Sequence, residues 1–84
     1  MAYSIDLKPE ASKKLNSFDK EMHRRILKAI IALAENPRPS GCTMLQIEKR
    51  YRIRVDDFRI VYEIDDSKLL VLVVRIGHRS NVYR

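Results

Sequence analysis

The chain has 84 residues, 45% of them hydrophobic, with 17 Lys and Arg against 11 Asp and Glu for a net charge of +6. That length holds one small domain with a thin two-layer core, and the hydrophobic content excludes a disordered basic tail. The single cysteine, Cys42, excludes an internal disulfide and a cysteine-based zinc site; no apolar run nears the roughly 20 residues of a membrane span, and "MAYSIDLKPE" lacks a signal pattern, so the expected compartment is the cytoplasm.

In "AYSIDL", Tyr3, Ile5 and Leu7 alternate with Ser4 and Asp6, which predicts a half-buried strand. Pro9 suits the first turn of a short helix, "PEASKKLNSF", with Ala11, Leu15 and Phe18 on one side. Asp19 is placed to cap a second helix, and Glu21 complements the dipole in its first turn. Met22, Ile26, Ala29, Ile30 and Leu33 form its core stripe, Lys20, Arg24 and Lys28 its solvent face, and Pro37 its stop. "NPRPSGC" reads as a loop. From Tyr51 the period becomes two: "YRIRV", a turn at Asp56-Asp57, "FRIVYEI", a second turn at "DDSK", and a last strand opening on the apolar run Leu69–Val74. Apolar on both sides, that last strand is expected at a central position, covered on both faces. The fold class is α+β, a small, mainly antiparallel sheet in the order β-α-α-β-β-β with two helices packed on one face, forming a single domain over residues 1–84.

The turn placement has a consequence for charge. It pairs Val55 with Phe58, Arg54 with Arg59, Ile53 with Ile60 and Arg52 with Val61. Arg54 and Arg59 then face each other directly, an arrangement that costs about 0.2–1 kcal/mol between like charges. Arg52 stands two residues along the same face. One reading pairs these groups with nearby acids such as Glu63. The other makes them an anion site, because guanidinium forks fit phosphate bidentately and stabilise charge developing on it.

The terminal stretch "VRIGHRSNVYR" adds Arg79, His78 and Tyr83. Gly77 is expected to break the strand and turn the chain beside the same sheet. His78 is read either as a proton carrier near neutral pH or as a loop histidine. Tyr83 is read as a group that stacks on a base or donates to phosphate, or as an aromatic closing the core. His23 is read as a surface residue, and the two histidines make no metal site.

"YRIRVDDFRIVYEIDDSKLLVLVVRIGHRSNVYR" resembles the C-terminal half of the RelE branch of the RelE/ParE toxin superfamily. The matching pattern is a Y-[KR]-[IVL]-[KR] strand, a turn, a [FY]-R-[IVL]-[VI]-Y strand, and a closing G-[HK]-R with VY just beyond. "ENPRPSGCTML" looks like the exit of the family's second helix, and the first strand and two helices agree in order and length. The resemblance implies the toxin of a type II toxin–antitoxin pair: a ribosome-dependent endoribonuclease that cuts mRNA in the A site by 2′-hydroxyl attack on the adjacent phosphate, with no metal and no cofactor.

It also implies roles. Arg52 and Arg54 map to the basic positions of the first hairpin strand, Arg59 to the phosphate-stabilising arginine of the return strand, Arg79 to the arginine after the glycine, and Tyr83 to the terminal tyrosine. The best-studied form carries lysines at the first two positions, one of them proposed as general base. Arginine does not release its proton in proteins, so Arg52 and Arg54 hold phosphate, and the base falls to Tyr83, His78, the ribosome or bound water. The sequence stops at Arg84, short of the C-terminal helix that some members carry beyond the tyrosine. The partners implied are a cognate antitoxin, the ribosome and mRNA, no membrane, and operator DNA only through the antitoxin complex. Two alternatives share the scaffold: a ParE-like inhibitor that binds DNA gyrase, and a non-catalytic RNA-binding module.

Overall fold

The computed structural model describes residues 2–45 and 50–78. Its elements are β1 (Ser4–Leu7), α1 (Pro9–Ser17), α2 (Lys20–Ala32), β2 (Thr43–Leu45), β3 (Arg50–Val55), β4 (Phe58–Asp65) and β5 (Leu70–His78). They form one five-stranded sheet in the order β1-β5-β4-β3-β2. β1 runs parallel to β5, and the other neighbours are antiparallel. The class is α+β, as the sequence predicts.

Period decides which face is covered. Ala11 and Leu15 of α1, Ile26 and Ile30 of α2, and Leu33 just beyond it meet Ile53, Ile60, Tyr62, Val71, Val73 and Ile76 of the sheet in one buried cluster. Both helices therefore lie on the face that carries these strand positions. The cap is formed as expected: the Asp19 carboxylate accepts from the Met22 amide at 2.9 Å, satisfying one of the free donors of the first turn of α2. The helix ends before Pro37, where the Leu33 and Ala34 amides donate to carbonyls three residues back, at 3.0 Å each. Pro37 is instead buried, and its carbonyl accepts from the Tyr62 hydroxyl at 2.7 Å.

Three features differ from the sequence reading. A short strand, β2, follows the proline-rich loop and pairs Thr43 with Arg52 and Leu45 with Arg50. The last strand starts one residue later than its apolar run, because Leu69 closes the turn in the left-handed region at φ 51°. Its carbonyl accepts from the Ser4 amide at 2.7 Å, which docks β1 on the sheet. Third, β5 has strand neighbours on both sides, but among the described residues the helices cover only one of its faces, leaving Leu70, Leu72 and Val74 half-buried on the other.

A bulge in β5 fixes the rest. Tyr62 pairs with Val73, but Val61 pairs with Arg75, so Val74 is an extra residue. Strict alternation after Val71 and Val73 would send Arg75 into the core. The bulge resets the phase, keeps Arg75 out and turns Ile76 in.

Candidate nucleic-acid interface

The β3–β4 hairpin has the register its turn predicts: Val55 with Phe58, Arg54 with Arg59, Ile53 with Ile60, Arg52 with Val61. Asp56 takes φ 53°, a left-handed position that aspartate tolerates better than most residues. Since Ile53 and Ile60 face the helices, Arg52, Arg54 and Arg59 project from the opposite face, which they share with Val61. Directly opposed residues have Cβ atoms about 4.5–5.5 Å apart, so the Arg54 and Arg59 stems start side by side. Arg54 is exposed; Arg52 and Arg59 are half-buried, with Nη1 of Arg59 enclosed.

The nearby acid goes elsewhere. Glu63 takes Arg50, whose Nε lies 2.9 Å from its carboxylate. Arg52 donates to the Thr43 hydroxyl on β2 at 3.0 Å. Arg54 has no ion pair among the described residues. Arg75 meets Glu10 in the first turn of α1 at 3.1 Å. Arg50 and Arg75 are cations of this region that the sequence reading left out of the site. Extending the alternation of "YRIRV" back by one position reveals Arg50; nothing short of the bulge reveals where Arg75 goes.

Two expectations about the strand end are corrected. Gly77 does not break β5, which runs on to His78 with Gly77 paired to Arg59. The ladder to β4 continues to Phe58, so the glycine's effect is lateral: it puts no side chain across from Arg59. His78 pairs with Phe58, whose ring it meets edge-on at 5.8 Å and 89°. Phe58 in turn packs edge-on against Phe18 at 4.8 Å. The imidazole therefore starts from the helix side of the sheet, whereas Arg54 and Arg59 start from the other. The bulge is the cause, because without it His78 would fall in phase with the uncovered face. Arg79 and Tyr83 lie outside the described residues. His23, on α2, is half-buried.

A second polar cluster gathers at the end of β4 away from the Asp56 turn. Arg38 of the proline-rich loop reaches both carboxylate oxygens of Asp66, at 3.3 and 3.0 Å. It also donates to the Tyr51 hydroxyl at 3.2 Å and lies over that ring, 5.3 Å from its centroid. Tyr3 donates to the same carboxylate at 2.6 Å. The Arg38 and Tyr3 hydrogen bonds, in that order, hold the Asp66 carboxyl below its ordinary range. Burial first, and then the Cys42 thiol beside it, pushes the Tyr62 phenol above its ordinary value. This cluster ties the loop to β3 and to the residues that flank the start of β1 and the end of β4.

Comparison with known proteins places these features in context. The profile of the family described as the ParE toxin of type II toxin–antitoxin systems, parDE, matches residues 5–83. A RelE-like toxin protein of Escherichia coli is 30% identical over 99% of this chain and 92% of its own length. The mRNA interferase toxin RelE of Escherichia coli K12 is 28% identical over the same shares. Among solved structures, the isolated Escherichia coli RelE toxin superposes with a TM-score of 0.81 at 27% identity, covering 98% of this chain and 92% of that one. The archaeal RelE–RelB complex from Pyrococcus horikoshii shares the fold, with a TM-score of 0.85 at 23% identity, over 98% of this chain and all of its counterpart.

Proposed function

The chain belongs to the ParE toxin family of type II toxin–antitoxin systems, and from that premise we propose that it is a ribosome-dependent endoribonuclease that cuts mRNA in the A site. The observation that carries this reading is the direct pairing of Arg54 with Arg59 on the sheet face opposite the helices, with Gly77 placing no side chain across from Arg59. Two guanidiniums rooted at one cross-strand step bring N–H donors to a phosphate that gains charge as it is attacked. A protein that only blocks gyrase by binding has no need of that arrangement. The curated relatives support the same direction, since one carries the name mRNA interferase.

The proposed chemistry is an in-line transfer. The ribose 2′-oxygen forms a bond to phosphorus, the bond to the 5′-oxygen breaks, and the products are a 2′,3′-cyclic phosphate and a 5′-hydroxyl. Arg59 and Arg54 hold the non-bridging oxygens through the five-coordinate stage, and Arg52 holds a neighbouring phosphate. Arg79, by its position in the G-[HK]-R pattern, is assigned to the same phosphate. The 2′-hydroxyl proton goes to Tyr83 or to a ribosomal group or water, because arginines do not accept it. A proton returns to the departing 5′-oxygen. No metal step is needed.

The cognate partner in this reading is an antitoxin that covers the basic face, and the solved relatives include a RelE–RelB complex. The family description, which names ParE, keeps a second reading in play: a gyrase poison acting by binding. One assay separates them. Purified protein added to programmed ribosomes should cleave mRNA within the A-site codon and leave cyclic-phosphate and 5′-hydroxyl ends, with DNA gyrase unaffected. Intact mRNA together with gyrase stalled on DNA would overturn the nuclease reading.

A further inference from the structure

The arginine hairpin is paired to β5 as far as Phe58, but its outer strand is weakly held near the tip. β2 pairs with β3 only over Arg50–Arg52, so Ile53–Val55 have no strand on their outer side among the described residues. Beside that edge lies an open cleft of about 470 Å³, lined by Ala29, Leu33, Pro39, Gly41, Ile53 and Arg54 among others. Side-chain packing is therefore thin where the site needs rigidity. One turn of α2 before Ala29, Arg25 grips Asp56 at the hairpin turn with both terminal nitrogens, Nη1 to Oδ2 at 2.7 Å and Nη2 to Oδ1 at 3.0 Å. The second hold is Phe58 against Phe18. Both act on the helix side, whereas the guanidiniums of Arg54 and Arg59 work on the other.

We infer that Arg25 and Asp56 are positioning residues that lock the hairpin tip onto α2 and so fix the angle between Arg54 and Arg59. This rests on the nuclease reading for its functional readout, although the mechanical part does not. A forked, two-bond pair constrains rotation as well as distance, which a single lysine contact does not. The pair is half-exposed, at 49% and 39% for the two side chains, and such pairs contribute little to global stability. Its effect is local. It also engages the Asp56 carboxylate, which lies in the turn two residues after Arg54.

Arg25→Gln and Asp56→Asn test this, alone and combined. Asparagine keeps the left-handed turn accessible, and the two substitutions respectively lower and raise the net charge of +6 by one. Backbone hydrogen exchange over 53–60 is measured by NMR, alongside single-turnover cleavage on ribosomes. Both single variants should exchange faster across the tip and cleave about tenfold more slowly, with ribosome affinity little changed, and the double variant should be no worse than either. Wild-type exchange across 53–60 in both variants would overturn the clamp, whether or not the protein cleaves RNA. So would cleavage rates that move in opposite directions, which is the signature of bulk charge. Absence of cleavage by the wild type itself would sink the nuclease reading and leave the exchange result to judge the clamp.

Discussion

Asp66 is an exposed carboxylate held by three donors, two from Arg38 and one from Tyr3. They favour its charged form, so its folded pKa lies below the ordinary 3.8. The stabilisation this gives is complete above that ordinary value and is lost as the pH falls through the lower, folded one. Denaturant midpoints of the wild type and Asp66→Asn, compared from about pH 6 to about pH 2, should therefore converge on the acid side. A gap that stays constant over the range would show that the carboxylate's charge is not what the loop uses. The same reasoning shows why Arg38 and Asp66 stand outside the anion site: each satisfies the other, and neither faces the uncovered side beside Arg54.

Among the elements, the β3–β4 hairpin was the most legible in sequence. "YRIRVDDFRI" has strict alternation around an acidic turn, and those two facts fix every pair from Val55–Phe58 to Arg52–Val61. α2 was legible for a similar reason, with a stripe at helical spacing and Asp19 in place to cap it. β5 was not. Its run of apolar residues carries no phase, so the extra residue at Val74 left no mark in the sequence, and neither the continuation of the strand through Gly77 nor the side taken by His78 could be read from it. β2 was missed because three residues after a proline-rich loop form a strand only when an edge is available to pair with. The Arg25–Asp56 clamp joins residues 31 apart in sequence, and no local pattern announces it. The bulge carries a prediction. Because His78 starts from the helix side against Phe58, away from Arg54 and Arg59, His78→Ala should keep ribosomal cleavage within about threefold of wild type. A loss of about 10²–10⁴-fold, the usual worth of an acid or base, would return the histidine to the chemistry.

On the scale of the whole molecule, the helix side of the sheet carries the core and the opposite side carries the arginine hairpin. The helices, the aromatic pair Phe18–Phe58 and the buried Tyr62 all sit on the first. The second carries the arginines, with Glu63 and Glu10 neutralising Arg50 and Arg75 at its margins. A net charge of +6 draws such a face to polyanions, and it explains neither cutting nor sequence choice by itself. The toxin family supplies the scaffold for more than one mode of poisoning, so function has to be argued from the paired guanidiniums. The most direct measurement is single-turnover cleavage of A-site mRNA by the wild type and Arg59→Ala at saturating toxin. With the phosphate held at the Arg54–Arg59 step, the rate constant should fall by about 10²–10³ while ribosome binding persists. An unchanged rate in the Arg59→Ala protein would contradict a phosphate site on this face.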